Sequence, residues 1–263
     1  LGYWALLSTT TGGANTAIGV GAMRDNVTGA FNVAVGRWAM LGASSSNHNV
    51  AIGYNALSVN KSDSMTAVGD AVLQSNTTGV SNIAMGRDTL RNNTTGSYNV
   101  ALGWGVLSNQ TNTGNNNTSV GHQSMYYSDG TQFNVAIGFQ AGWTNQGYFG
   151  IAIGSNAGSS NQSSEAVSLG HSAGVINQKQ YAIAIGSEAG FSNQGTTSIS
   201  IGYKAGNTYQ GTSAIAIGNS SGSLNQGQFA VAIGINSGMT SQGASAVAIG
   251  YGAGQTNQTG DGI

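Results

Sequence analysis

A glycine returns along this chain at intervals regular enough to dictate its architecture. It closes the tripeptide Ala-(Ile/Val)-Gly or a close variant at Gly2, Gly19, Gly36, Gly53, Gly69, Gly86, Gly103, Gly121, Gly138, Gly154, Gly170, Gly186, Gly202, Gly218, Gly234 and Gly250. The spacings are 16 to 18 residues up to Gly138 and 16 throughout thereafter. Before each of these ruler glycines stands an aliphatic residue or Met (Leu1, Ile18, Val35, on to Ile249). Two positions earlier comes a second, mostly branched residue (Thr16, Val33, Val50, on to Val247), and between them always Ala or Ser. Large, small, large with period two is a strand of about five residues carrying both large side chains on one face. The glycine after it marks a corner where φ is positive or another backbone comes close.

Such a strand, followed by ten or so residues of Gly, Asn, Ser and Thr, buries nothing alone. Stacked on copies of itself ~4.8 Å away, it does. The expected fold is all-β: a β-solenoid, or β-roll, of about sixteen rungs of 16–17 residues. Nothing recurs at the helical period, and glycine is spread through every candidate helix.

Two sub-arrays share the ruler. Four residues past it, the first eight rungs carry Leu6, Met23, Met40, Leu57, Leu73, Leu90, Leu107 and Met125. The last eight carry Gly142, Gly158, Gly174, Gly190, Gly206, Gly222, Gly238 and Gly254. First-half strands are preceded by Asn15, Asn32, Asn49, Asn82, Asn99, Asn117 and Asn134, with Met65 the exception. Second-half rungs instead place Gln146, Gln162, Gln178, Gln194, Gln210, Gln226, Gln242 and Gln258 eight residues past the ruler. Stacked identical amides can hydrogen-bond from rung to rung, so both columns are expected to be structural ladders. The domains expected are 1–137, with a Leu/Met corner, and 138–263, with a Gly corner and a Gln ladder at the turn.

Composition then excludes whole classes. The chain has no Cys, so disulfides, thiolate nucleophiles and Cys-based metal sites are out. A net charge of −1 gives no basic field for nucleic acid. No apolar run reaches the ~20 residues of a membrane span. With only 15 charged residues, stability should hardly change between about pH 4 and 9. His48, His122 and His171 lie rungs apart, and the carboxylates are scattered. No catalytic or metal site and no cofactor is expected. Tyr54, Trp104, Tyr203 and Tyr251 follow a ruler glycine and could stack on glycans, although corner packing is the plainer reading. Sequon-like triplets (Asn76-Thr77-Thr78, Asn93-Thr94-Thr95) leave glycosylation open.

Two branched residues and one small one per rung make a thin core. A side-by-side trimer burying apolar faces between chains is the preferred remedy. The alternative is a monomeric coil whose Leu and Met complete its own core.

His48-Asn49-Val50-Ala51-Ile52-Gly53, Asn134-Val135-Ala136-Ile137-Gly138 and Ser245-Ala246-Val247-Ala248-Ile249-Gly250 resemble the head repeats of YadA-like trimeric autotransporter adhesins. Asn15-Thr16-Ala17-Ile18-Gly19 and Leu73-Gln74-Ser75-Asn76-Thr77-Thr78-Gly79 are similar to repeats of phage tail-fibre-type proteins. The resemblance spans the chain as repeats, although the YadA-like repeat is shorter. It implies a left-handed trimeric β-roll on a cell or virion surface and does not identify a ligand, so a surface glycan or host receptor stays open as a partner beside further copies of the chain. Both termini fall inside a strand, so a slice of a longer repeat protein or filament is expected. The function expected is thus a non-enzymatic extracellular fibre or adhesin segment. An ice- or glycan-binding solenoid is the alternative; ice binding would need an unbroken outward Thr column.

Overall fold

The computed structural model describes residues 2–109 and 114–262. Leu1 and Ile263, both members of the strand columns, lie outside the described residues. The fold is an all-β solenoid of parallel strands stacked rung on rung, and the chain divides into two compact units, residues 1–133 and 134–263.

The first unit contains β1 (Thr16–Ile18), β2 (Val33–Val35), β3 (Val50–Ile52), β4 (Thr66–Val68), β5 (Ile83–Met85), β6 (Val100–Leu102) and β7 (Thr118–Val120). Each pairs in parallel with the next, and the register joins equivalent residues: Thr16 faces Val33, Ala17 faces Ala34 and Ile18 faces Val35. The same step repeats through Val100 and Thr118. Every column of the sequence repeat is therefore a physical row of touching residues.

The strands are three residues long, shorter than expected, because a left-handed corner bounds each side. Two residues before the strand, Phe31, His48, Ser64, Ser81, Tyr98 and Asn116 have φ of 55–61°. At the other end the ruler glycines have φ of 112–137°. A Cβ on Gly53 would also stand 2.1 Å from the Gly69 carbonyl oxygen, so no side chain fits there.

The strand faces overturn one expectation. The small middle residue points inward: Ala34, Ala51, Ala67, Ala84, Ala101 and Ser119 are fully buried. The branched residues counted as core point outward, with Ile18 49% and Ile83 44% exposed. A narrow coil has room between its walls only for a methyl or hydroxymethyl. Its apolar filling in the first unit comes instead from the Leu/Met corner. Met23, Met40, Leu57, Leu73, Leu90, Leu107 and Met125 are all completely buried.

The second unit contains β8 (Val135–Ile137), β9 (Ile151–Ile153), β10 (Val167–Leu169), β11 (Ile183–Ile185), β12 (Ser192–Gln194), β13 (Ile199–Ile201), β14 (Thr208–Gln210), β15 (Ile215–Ile217), β16 (Leu224–Gln226), β17 (Val231–Ile233) and β18 (Val247–Ile249). The sheet β8-β9-β10-β11-β13-β15-β17-β18 continues the large-small-large rows. A second parallel sheet, β12-β14-β16, was not foreseen. Single bridges (Thr144–Ser160, Ser160–Ile176, Ile176–Ser192, Leu224–Thr240, Thr240–Thr256) extend it along the unit. Its strands end on the glutamine column, which places those side chains inside the coil instead of at an outer turn.

Candidate functional site

Gln162, Gln178 and Gln194 are fully buried, and Gln146, Gln210, Gln226 and Gln242 nearly so; Gln258, in the last rung, is not buried. The amides form a chain. Gln146 donates to Gln162; Gln162 Nε2 donates to Gln178 Oε1 at 2.9 Å, and Gln178 to Gln194 at 3.1 Å. Gln210 donates to Gln226, Gln226 to Gln242 and Gln242 to Gln258 at 3.2–3.3 Å. Between the two runs, the Ser200 hydroxyl donates to Gln210 Oε1 at 2.7 Å. From Gln162 to Gln258 each amide is also oriented by a strand carbonyl, as when Gln178 Nε2 donates to Val167 at 2.8 Å. The glycine corner makes this arrangement possible. A Cβ on Gly158, Gly190 or Gly238 would come 2.5–2.6 Å from Oε1 of Gln162, Gln194 or Gln242.

Asparagine does comparable work in the first unit. The backbone N–H of Asn32, Asn49 and Asn99 donates to Oδ1 of Asn15, Asn32 and Asn82 at 2.9 Å, and that of Asn117 to Asn99 at 3.0 Å. Their Nδ2 groups satisfy turn carbonyls, as when Asn32 reaches Ser46 at 2.8 Å and Asn82 reaches Gly96 at 2.7 Å. At the Met65 rung the series degrades: Asn82 N–H meets only Met65 Sδ, at 3.5 Å. Asn134 falls in the second unit, where its Oδ1 accepts from the Gly150 N–H at 2.6 Å.

A further ladder was not foreseen. Asn26, Asn60, Asn76 and Asn93 are fully buried. Asn76 Nδ2 donates to Asn60 Oδ1 at 2.8 Å, and Asn93 Nδ2 to Asn76 Oδ1 at 2.9 Å. The signal was an Asn seven residues past the ruler, interrupted by Ala43. The sequon asparagines Asn76 and Asn93 thus have their carboxamides committed inside the coil, where no glycan fits. On the outside of the second unit, Asn145, Asn161, Asn177 and Asn193 form one more amide series, at 2.9–3.2 Å.

The four aromatic candidates are exposed but not brought together. Tyr54 lies against Trp38, ring centroids 5.5 Å apart. Trp104 stacks on His122 at 4.5 Å. Lys204 Nζ lies 5.2 Å above the Tyr203 ring, and Tyr251 is in the final rung. An unforeseen set lies at the left-handed corner before the strands: Phe31, Tyr98, Phe149, Tyr181 and Phe229, all exposed. The outward first strand column carries Thr only at Thr16, Thr66 and Thr118 and is otherwise Val or Ile, so the Thr column that ice binding requires is broken.

Titratable groups are used locally. Asp63 Oδ1 accepts from the Asn47 N–H at 2.7 Å. The Arg24 side chain donates to Asp25 and holds its carboxyl below the usual carboxylate range. His48 stacks on Phe31. Among the described residues no three His, Asp or Glu gather where they could hold a metal ion, and no helix is long and apolar enough to cross a membrane. None of the family models, curated proteins or solved structures compared with this chain matches it.

Proposed function

We propose that this chain is a non-enzymatic structural segment of an extracellular fibre or adhesin, and that copies of it associate side by side through the outward face of the large-small-large sheet. The observation that carries this reading is the face itself. In the second unit, eight successive strands present Val, Ile or Leu at both outward positions, without one charged residue. At the usual strand separation those rows run for roughly 34 Å. Ile137, Ile151, Leu169 and Ile201 are each more than a third exposed. Soluble monomers seldom leave so long an apolar strip in water, and covering it with a copy of itself needs no other partner. The resemblance to YadA-like head repeats supports three chains and a cell or virion surface.

Sedimentation equilibrium tests the association directly. A mass of three chains is expected for the native protein, falling to one when Ile185 and Ile201 are both replaced by Lys. A native protein that stays monomeric at high concentration would remove the basis for the reading. Electron micrographs showing only isolated compact particles would argue against a fibre.

A further inference from the structure

One rung of the first unit lacks a side chain that its neighbours carry. Two residues past the ruler stand Trp38, Asn55, Ala71, Asp88 and Gln123, all with φ of 54–61°. The same place in the β6 rung is Gly105, with φ of 64°. Gly21 is similarly bare, but the Trp38 ring of the next rung closes that gap, 3.0 Å from where a Cβ would be. At Gly105 a Cβ would meet the Tyr126 ring only at ordinary contact distance, 3.4 Å, and the bare corner lines a cleft of about 250 Å³ with Asp88 on the rung before and Gln123 on the rung after.

We infer that this cleft binds a single neutral pyranose ring, the terminal sugar of a glycan. Two aromatic side chains line it. Tyr126 packs along Gly105, its ring 3.4 Å from the Cβ position. Trp104 has one face covered by His122, in a nearly parallel stack of 8°, yet remains 49% exposed. An indole with one face already stacked is a rigid apolar wall for the C–H face of a sugar. The rim supplies planar polar groups that suit vicinal hydroxyls. The Asp88 carboxylate accepts, the Arg91 guanidinium donates, and Asn92 and Asn109 do both.

The charges choose the class of sugar. Asp88 is held by Arg87 and Arg91, each at 3.2 Å, and Arg91 Nε also donates to Gln74 Oε1 at 3.1 Å. Arg91 is thus compensated, and the lining has no net charge with which to attract an anionic sugar. The volume sets the size. It lies below the ~300–1,000 Å³ of sites that enclose drug-sized ligands, so one ring fits and a chain must extend outward.

The test follows the indole N–H signal of Trp104 by NMR, identified by its loss in Trp104→Phe, during titration with neutral methyl pyranosides and, separately, with N-acetylneuraminic acid. A saturable shift with at least one neutral pyranoside, at millimolar affinity, is expected, and none with the acid. Gly105→Asn should weaken binding by about tenfold or more. Asn55 already occupies the equivalent corner, so this variant fills the cleft while keeping the backbone, and its melting temperature should match that of the native protein. Trp104→Ala, at an exposed position, should abolish binding independently, read from the sugar's own resonances by saturation-transfer NMR. No shift with any neutral pyranoside, a response to the acid alone, or undiminished binding in a folded Gly105→Asn protein would each overturn the inference.

Discussion

Four residues past the ruler glycine, the backbone has φ of 48–52° where the residue is Leu or Met and 48–56° where it is Gly. The two units therefore turn the same corner with very different residues. In the second unit glycine is needed there for space, because any side chain would meet the glutamine reaching in from the opposite wall. In the first unit the corner residue fills the interior itself and bears the strain, roughly 1–2 kcal/mol for a non-glycine left-handed residue. Burying a Leu or Met side chain returns about 1.5–3 kcal/mol. A buried glutamine gains about 1 kcal/mol net per hydrogen bond and gives up more side-chain entropy than a leucine, though no more than a methionine. The difference teaches that rung spacing fixes the coil's backbone, while its filling can be oily or polar.

Exchanging the two fillings would break this comparison most severely. Gly190→Leu sets a Cβ 2.5 Å from Gln194 Oε1 and should lose about 4 kcal/mol in urea unfolding. Adding Gln194→Thr removes the amide that the new side chain would strike and should restore at least half of that loss. A double variant no better than the single one would mean that corner and wall are not alternatives. Next, Leu90→Ala empties the first unit's interior at a fully buried site and should lose about 3 kcal/mol.

Gln178→Ala is expected to lose less, about 2 kcal/mol, by leaving the Ser168 hydroxyl without its acceptor and breaking the amide chain between Gln162 and Gln194. A loss as large as that of Leu90→Ala would show that the polar filling is the stiffer one. Met65→Asn should raise the melting temperature slightly, worth up to about 1 kcal/mol, by giving the Asn82 N–H an oxygen in place of sulfur. A fall would mean that burying the thioether outweighs a continuous ladder.

Acid should act least. The Asp25 carboxyl is held below its ordinary range by the hydrogen bond from Arg24. Its contribution is present above the unfolded-state pKa and disappears as pH falls through the folded one. The pair is exposed, so melting curves should coincide from neutral pH down to the carboxylate range and drop only slightly below it.

The ruler, the parallel stacking and the column registers were legible in the sequence because each depends on periodicity alone. The inward direction was not. Large-small-large reads the same whichever face is inside, and the choice falls to the width of the coil. Ala152 settles it locally: a Cβ on Gly158 would already be 3.2 Å from the Ala152 methyl, so no branched side chain fits between the walls. Left-handed corners at Phe31, Tyr98 or Met40 were also hidden, since no glycine announced them. The glutamines were visible as a column, but their burial depended on the glycine opposite. The Asn76 and Asn93 triplets left glycosylation open, and their ladder was hidden because Ala43 breaks the series seven residues past the ruler. The aromatic candidates were found as single residues, and only the structure reveals that Gly105 opens a cleft beside Trp104.

The ladders also have a direction. Each side-chain bond from one asparagine amide to another in the first unit runs toward lower residue numbers, as from Asn32 to Asn15 and from Asn93 to Asn76. The glutamines of the second unit donate toward higher numbers, as Gln162 does to Gln178. Aligned amides add their dipoles, so each unit carries an internal arrow, and each bond polarises the next in the same sense. Duplicating a whole rung lengthens such an arrow without reversing it. Losing one shortens it without leaving a mismatched pair. Length is then free to drift by multiples of a rung, and the asparagine bonds kept across separations of 16, 17 and 18 residues show the turns absorbing smaller changes outside the ladders.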